Sequence, residues 1–187
     1  MRFGTATAIA ALAVTLTLAS GASADFVNGQ VINGRFFDPN INTPLNDPLY
    51  DFTTTLAAGS DFTSGYVDAG WRFDFVGDRF RIDFFTTASY FYFDLTKGRT
   101  FVGYVLSDLG GTIPSFTDVS VVATNSGNWA NVLTVVDANT MHLNFVQLGQ
   151  HNFYDGDFVE FQVQFVPAPG AMALLAVGGL AFRRRAR

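Results

Sequence analysis

From Asp25 to Val166, apolar and polar residues alternate with a period of two. That spacing puts one face of an extended strand on a core and the other in water. Val159, Phe161, Val163 and Phe165 point one way, and Glu160, Gln162 and Gln164 point the other. Met141, Leu143 and Phe145 alternate with His142 and Asn144, while Val119 with Val121 and Val132 to Val136 mark two further strands. Lys97-Gly98, Gly110-Gly111, Ser126-Gly127 and Asp155-Gly156 supply turns between them. No apolar stripe at helical spacing interrupts the pattern. The expected fold is all-β, an antiparallel, jelly-roll-like β-sandwich. Tyr90 to Phe93 is apolar on both faces and predicts a central strand or a strand under a loop.

One hairpin can be specified to the residue. Trp71 to Val76 and Arg79 to Phe84 flank Gly77-Asp78, and glycine at the first loop position suits a type II′ turn. Closing that loop sets Asp74 against Arg81 and Arg72 against Asp83 on one face. The other face pairs Phe75 with Phe80, Phe73 with Ile82 and Trp71 with Phe84. A one-residue slip would turn the charges onto the core. The four charged residues therefore read as exposed cross-strand pairs that serve register, each worth under about 1 kcal/mol.

The two ends break the alternation. Arg2 precedes an apolar stretch from Phe3 to Leu18, and Ala22-Ser23-Ala24 supplies the small-x-small pattern of a signal peptidase site. Residues 1–24 are thus expected to be a secretory signal peptide, with 25–165 as the sandwich domain and 166–187 as a separate C-terminal segment. That segment reads Val166-Pro167-Ala168-Pro169-Gly170, then an apolar run from Ala171 to Phe182, then Arg183, Arg184, Arg185, Ala186 and Arg187. As a helix the apolar run is roughly 18 Å long, and counting from Val166 brings it to the lower limit for crossing a bilayer core of about 30 Å. The arginines hold their end in the cytoplasm, which leaves the preceding domain outside.

This order of proline motif, short apolar helix and Arg cluster resembles the proline-glutamate-proline C-terminal (PEP-CTERM) sorting signals. Ala168 stands where the family carries Glu. The resemblance implies processing by an exosortase, a membrane-embedded cysteine peptidase or transpeptidase. It also implies a Gram-negative-type host that makes extracellular polysaccharide. The expected path is a membrane-anchored precursor, then the cell surface or the extracellular matrix of a biofilm.

Charge and cysteine usage narrow the activity. The chain carries −5, and without Arg2 and the four tail arginines the remainder carries −10, which disfavours a nucleic-acid partner. It has no cysteine, so neither disulfides nor thiolate metal sites are available. All but one of its acids are Asp, many beside Gly, Asn or Pro, where Asp serves turns. No Gly-x-Ser-x-Gly elbow or Gly-rich phosphate loop is present. Closing the Asp155-Gly156 hairpin would set His151 opposite Glu160. His142 falls on the polar side of a strand, and neither histidine has zinc spacing.

The expectation is therefore a non-enzymatic surface or matrix protein of structural or adhesive type, without a cofactor. The alternative is a carbohydrate-binding module. In that reading Trp129 stacks on sugar rings while Asn128 and Asn131 bond hydroxyls; otherwise Trp129 tucks into the end of the sandwich. A secreted glycoside hydrolase is a third reading, since paired carboxylates need no local motif. Ca²⁺ is conceivable at Asp155 and Asp157, or at Asp38 with Asn40 and Asn42, through hard oxygen ligands.

Overall fold

A computed structural model describes residues 25–66, 69–87, 91–94 and 98–166. The signal segment 1–24 and the tail from Pro167 lie outside the described residues. In chain order the strands are β1 (Val31–Phe37), β2 (Phe52–Thr55), β3 (Phe62–Tyr66), β4 (Ala69–Val76), β5 (Arg79–Thr86), β6 (Phe91–Asp94), β7 (Gly103–Ser107), β8 (Phe116–Thr124), β9 (Leu133–Asp137), β10 (Thr140–Asn144), β11 (Gln150–Phe153) and β12 (Phe158–Phe165). A 3₁₀ turn covers Phe145–Leu148, capped by the Asn144 side chain.

The β4–β5 hairpin has the register that its sequence dictates, from Trp71 opposite Phe84 to Val76 opposite Arg79. Gly77 takes φ 60 and Asp78 stays out of the positive-φ region, the signature of a type II′ turn. From this hairpin one antiparallel sheet grows in the order β3-β4-β5-β12-β8. A second antiparallel sheet runs β2-β1-β7-β10-β9. Their apolar faces meet ring to ring: Phe52 lies 3.9 Å from Phe62, Tyr104 5.0 Å from Phe73, and Phe36 6.3 Å from Trp71. The described fold is all-β, two antiparallel sheets packed over a Phe-rich core.

Two expectations are corrected. Phe91–Asp94 is not a central strand; it pairs with β11 in a two-stranded ribbon, while Tyr90 lies outside the described residues. His151 therefore faces Phe93 rather than Glu160. The reason is that the Asp155-Gly156 turn is held by the end of β5 rather than closing β11 onto β12. Gly156 N donates to Phe84 O at 3.1 Å and Phe84 N to Asp157 O at 2.8 Å.

A file of hydrogen bonds crosses the core. Trp71 Nε1 donates to Tyr104 Oη at 3.2 Å, Tyr104 Oη to Ser64 Oγ at 3.0 Å, and Ser64 Oγ to Leu49 O at 2.8 Å. Trp71, Tyr104 and Ser64 are all buried, so the phenol is inaccessible to water and its pKa is pushed far up by desolvation. Beside it, Gly103 opens β7 at φ 149, and a Cβ there would sit 1.9 Å from Leu143 O. Glycine alone lets the two backbones approach that closely.

Replacing Tyr104 by Phe keeps the ring but strands the Trp71 donor in an apolar core. The expected cost is about 1–3 kcal/mol, or roughly 3–10 °C in Tm. Thermal unfolding followed by near-UV circular dichroism reads this directly, and an unchanged Tm would mean the hydroxyl contributes nothing.

Candidate functional site

The loop between β8 and β9 is built from its own polar atoms. Asn125 Oδ1 accepts from Phe158 N at 2.8 Å, Asn125 Nδ2 donates to Gly156 O at 3.1 Å, and Asn128 Oδ1 accepts from Ala130 N at 3.1 Å. Gly127 and Asn131 both take left-handed φ, 67° and 63°, a region in which Gly and Asn are the least strained residues. These constraints turn Trp129 inward. The indole Nε1 donates to Ser126 O at 2.6 Å, and the ring packs near Phe84, Phe153 and Phe161 at 5.6, 6.1 and 6.2 Å. Trp129 is only 2% exposed. Of the two fates its sequence left open, it takes the core position. Asn128 and Asn131 stay exposed at the surface of the loop.

Beside this loop lies a cavity of about 290 Å³. Trp129, Leu133 and Phe161 line it together with Val119, Val121 and Asn131. It opens between β8, the last strand of one sheet, and the segment entering β9, the last strand of the other. Val121, in its lining, is 39% exposed, and Val122 on β8 and Val136 on β9 are exposed at 47 and 53%. The sequence hides this feature, because which strands end a sheet is decided by long-range pairing. Of the sorting residues, Val166 is exposed and its N donates to Ser115 O at 2.9 Å. Pro167, Ala168, Pro169, Gly170, Arg183, Arg184, Arg185 and Arg187 lie outside the described residues.

The outer face of β4, β5 and β12 is charged; Arg81 meets its register partner Glu160 on β12 at 3.7 Å, but the short contacts are not the β4–β5 pairs Asp74–Arg81 and Arg72–Asp83. Arg81 bonds Asp83 on its own strand, at 2.9 Å from Nε and 2.7 Å from Nη2, and its guanidinium sits 4.2 Å from the Phe158 ring centroid. Arg79 pairs with Asp78 at 3.1 Å, and Arg72 covers the Phe85 ring at 5.1 Å. Residues two apart on a strand share a face, and flexible guanidinium stems reach whichever partner also offers a ring to lie on. Asp74 is left with Oδ1 buried and unbonded in a recess of about 200 Å³ lined also by Val76, Arg79, Arg81 and Glu160. Its pKa is raised by desolvation first, then by the carboxylates of Asp61 and Asp83, against the pull of Arg81. Asp61 is also raised by burial, although it accepts from Ala57 N and Phe75 N, both at 2.8 Å.

The remaining candidates serve the framework. His142 is half-buried, its ring 5.4 Å from that of Phe101, and burial lowers its pKa while Asp137 opposes the shift. The His151 ring rests on Phe153 at 4.7 Å and against Gly127. Asp157 Oδ2 accepts from Tyr154 N at 2.9 Å, and Asp155 Oδ1 from Thr86 N at 3.3 Å. Asp38 pairs with Arg99 at 3.0 Å, and Asn40 Oδ1 accepts from Asn42 N at 3.0 Å. Among the described residues no group of three or more His, Asp or Glu side chains could hold a metal ion.

No protein family, curated protein or solved structure matches the chain.

Asp74 generates a pH prediction. Its protonated form is the one the fold favours, so that stability is full below the ordinary value of 3.8 and is lost as pH rises through the raised folded value. Asp74→Asn should therefore raise Tm at pH 7 by up to about 2 °C, a small gain because the group is partly solvated. The gain should vanish on acidification through the carboxylate range. Thermal melts of both proteins across pH 3 to 7 check the sign.

Proposed function

We propose that this is an exported bacterial surface or matrix protein of structural or adhesive type, anchored transiently by its tail and released by an exosortase-like enzyme. The observation that carries the reading is the coincidence of boundaries. The compact β unit runs from Asp25 to Val166. To within one residue, that is the stretch lying between the Ala22-Ser23-Ala24 cleavage pattern and the sorting motif that opens at Val166. A domain that closes where the two address segments begin loses nothing when they are removed. It also folds without cysteine, held instead by aromatic packing, so it needs no oxidant on arrival. We read the two sheets, with the chain passing between them after β2, β7 and β8, as a jelly-roll-like sandwich. The partners in this reading are signal peptidase, the processing enzyme and the extracellular polysaccharide among which the domain resides.

The test is mass spectrometry of the protein recovered from the outside of its native host. The expected N-terminus is Asp25, and the expected C-terminus lies before Arg183. An intact Arg187 in the mature pool would remove the sorting reading.

A further inference from the structure

The direction of the β8 backbone can be worked out from β12. Val163 N donates to Asp78 O at 2.8 Å, so at Val163 the strand bonds toward β5 and not toward β8. Val163 faces Val119, which therefore turns its own N–H and C=O away from β12. Two residues on, Val121 faces Phe161 and does the same. β8 ends its sheet; its first residue, Phe116, donates its N–H to Ala138 O at 2.9 Å, and the groups of Val119 and Val121 follow beside the cavity floored by Trp129, Leu133 and Phe161. Val119 N–H is occupied by Asp118 Oδ1 at 2.9 Å. Outside the pairing with β12, no described residue bonds the Val119 carbonyl or either backbone group of Val121.

A pair of outward backbone groups next to an apolar cavity is the arrangement that receives an added strand. Main-chain bonds hold the guest, and the cavity takes one of its alternate side chains. Charge narrows the guest further. No Lys or Arg occurs between Arg99 and Arg183, and β8 and β9 carry Asp118 and Asp137, both exposed. We propose that the outer edge of β8 at Val119 to Val121 and the cavity beside it bind an extended segment of another protein, apolar at alternate positions and flanked by Lys or Arg. The Asp118 self-bond and the bulges in β8 at its pairing with β12 keep the edge from pairing indiscriminately. The adhesive reading supplies only the setting for such a partner, and the sorting test above stands or falls separately.

The experiment uses the full-length chain in a zwitterionic detergent with a synthetic probe, acetyl-Lys-Thr-Leu-Thr-Val-Thr-Lys-amide. Backbone amide NMR shifts of Val119 to Val122 and the fluorescence of Trp129 are followed during titration. The proposal expects saturable shifts centred on Val121. It expects binding about fivefold weaker when both Lys are replaced by Glu, and loss when the central residues of the probe are N-methylated. Ala130→Leu, which fills the cavity from an exposed position, should weaken binding without lowering Tm. Val121→Pro removes the outward N–H and should abolish it. Any of three results would overturn the proposal: no saturation with the probe, equal binding of the N-methylated peptide, or the same shifts arising from protein concentration alone. The last would give the edge to a second copy of this chain.

Discussion

The two sheets are held in one alignment by a polar thread through a core that is otherwise almost all hydrocarbon. Phe rings pack tightly but carry no directional partner, so a Phe-filled interface tolerates small slides between layers. The bonds from Trp71 through Tyr104 and Ser64 to Leu49 do not, because each has a short distance window and all three side chains are buried. The thread joins β4 and β3 of one sheet to β7 of the other and fastens the Leu49 loop. Around it, Phe36, Phe52, Phe73 and Phe145 close within ring-contact distance of Trp71 or Tyr104.

What could be read from the chain was what local chemistry decides. The β4–β5 register followed from two charge pairs, three apolar pairs and one glycine, all within fourteen residues. The alternation in β12 and β10 likewise translated into buried Val159, Phe161, Val163, Met141 and Leu143. The placement of β12 between β5 and β8, and of β6 against β11, was not legible, because those partners are remote in sequence and many pairings satisfy the same pattern. Trp129 shows the limit most clearly. Its neighbours Asn125, Ser126, Gly127 and Asn128 describe a polar loop, but the position of the ring is set by Phe84, Phe153 and Phe161, which belong to three other strands.

Charge is distributed unevenly along the chain, and the fold turns that into a difference between surfaces. The described arginines all precede residue 100, and three of them sit on β4 and β5. There they are absorbed by Asp78, Asp83, Glu160 and nearby rings. The flank formed by β8 and β9 has carboxylates, valines and amides but no cation. One face is thus neutralised internally, while the other leaves its charge to be met from outside.

The central position of β12 has a consequence for the order of assembly. In a chain that emerges N-terminus first, β5 has an open edge until the final eight residues of the domain arrive, and β8 has no neighbour at all. Neither half of that sheet can close early, since the strand that bridges them comes last. The sheet β2-β1-β7-β10-β9 can be completed once β10 has emerged. The sheet holding β12 becomes whole only in a last step, when one strand joins two separate edges at once.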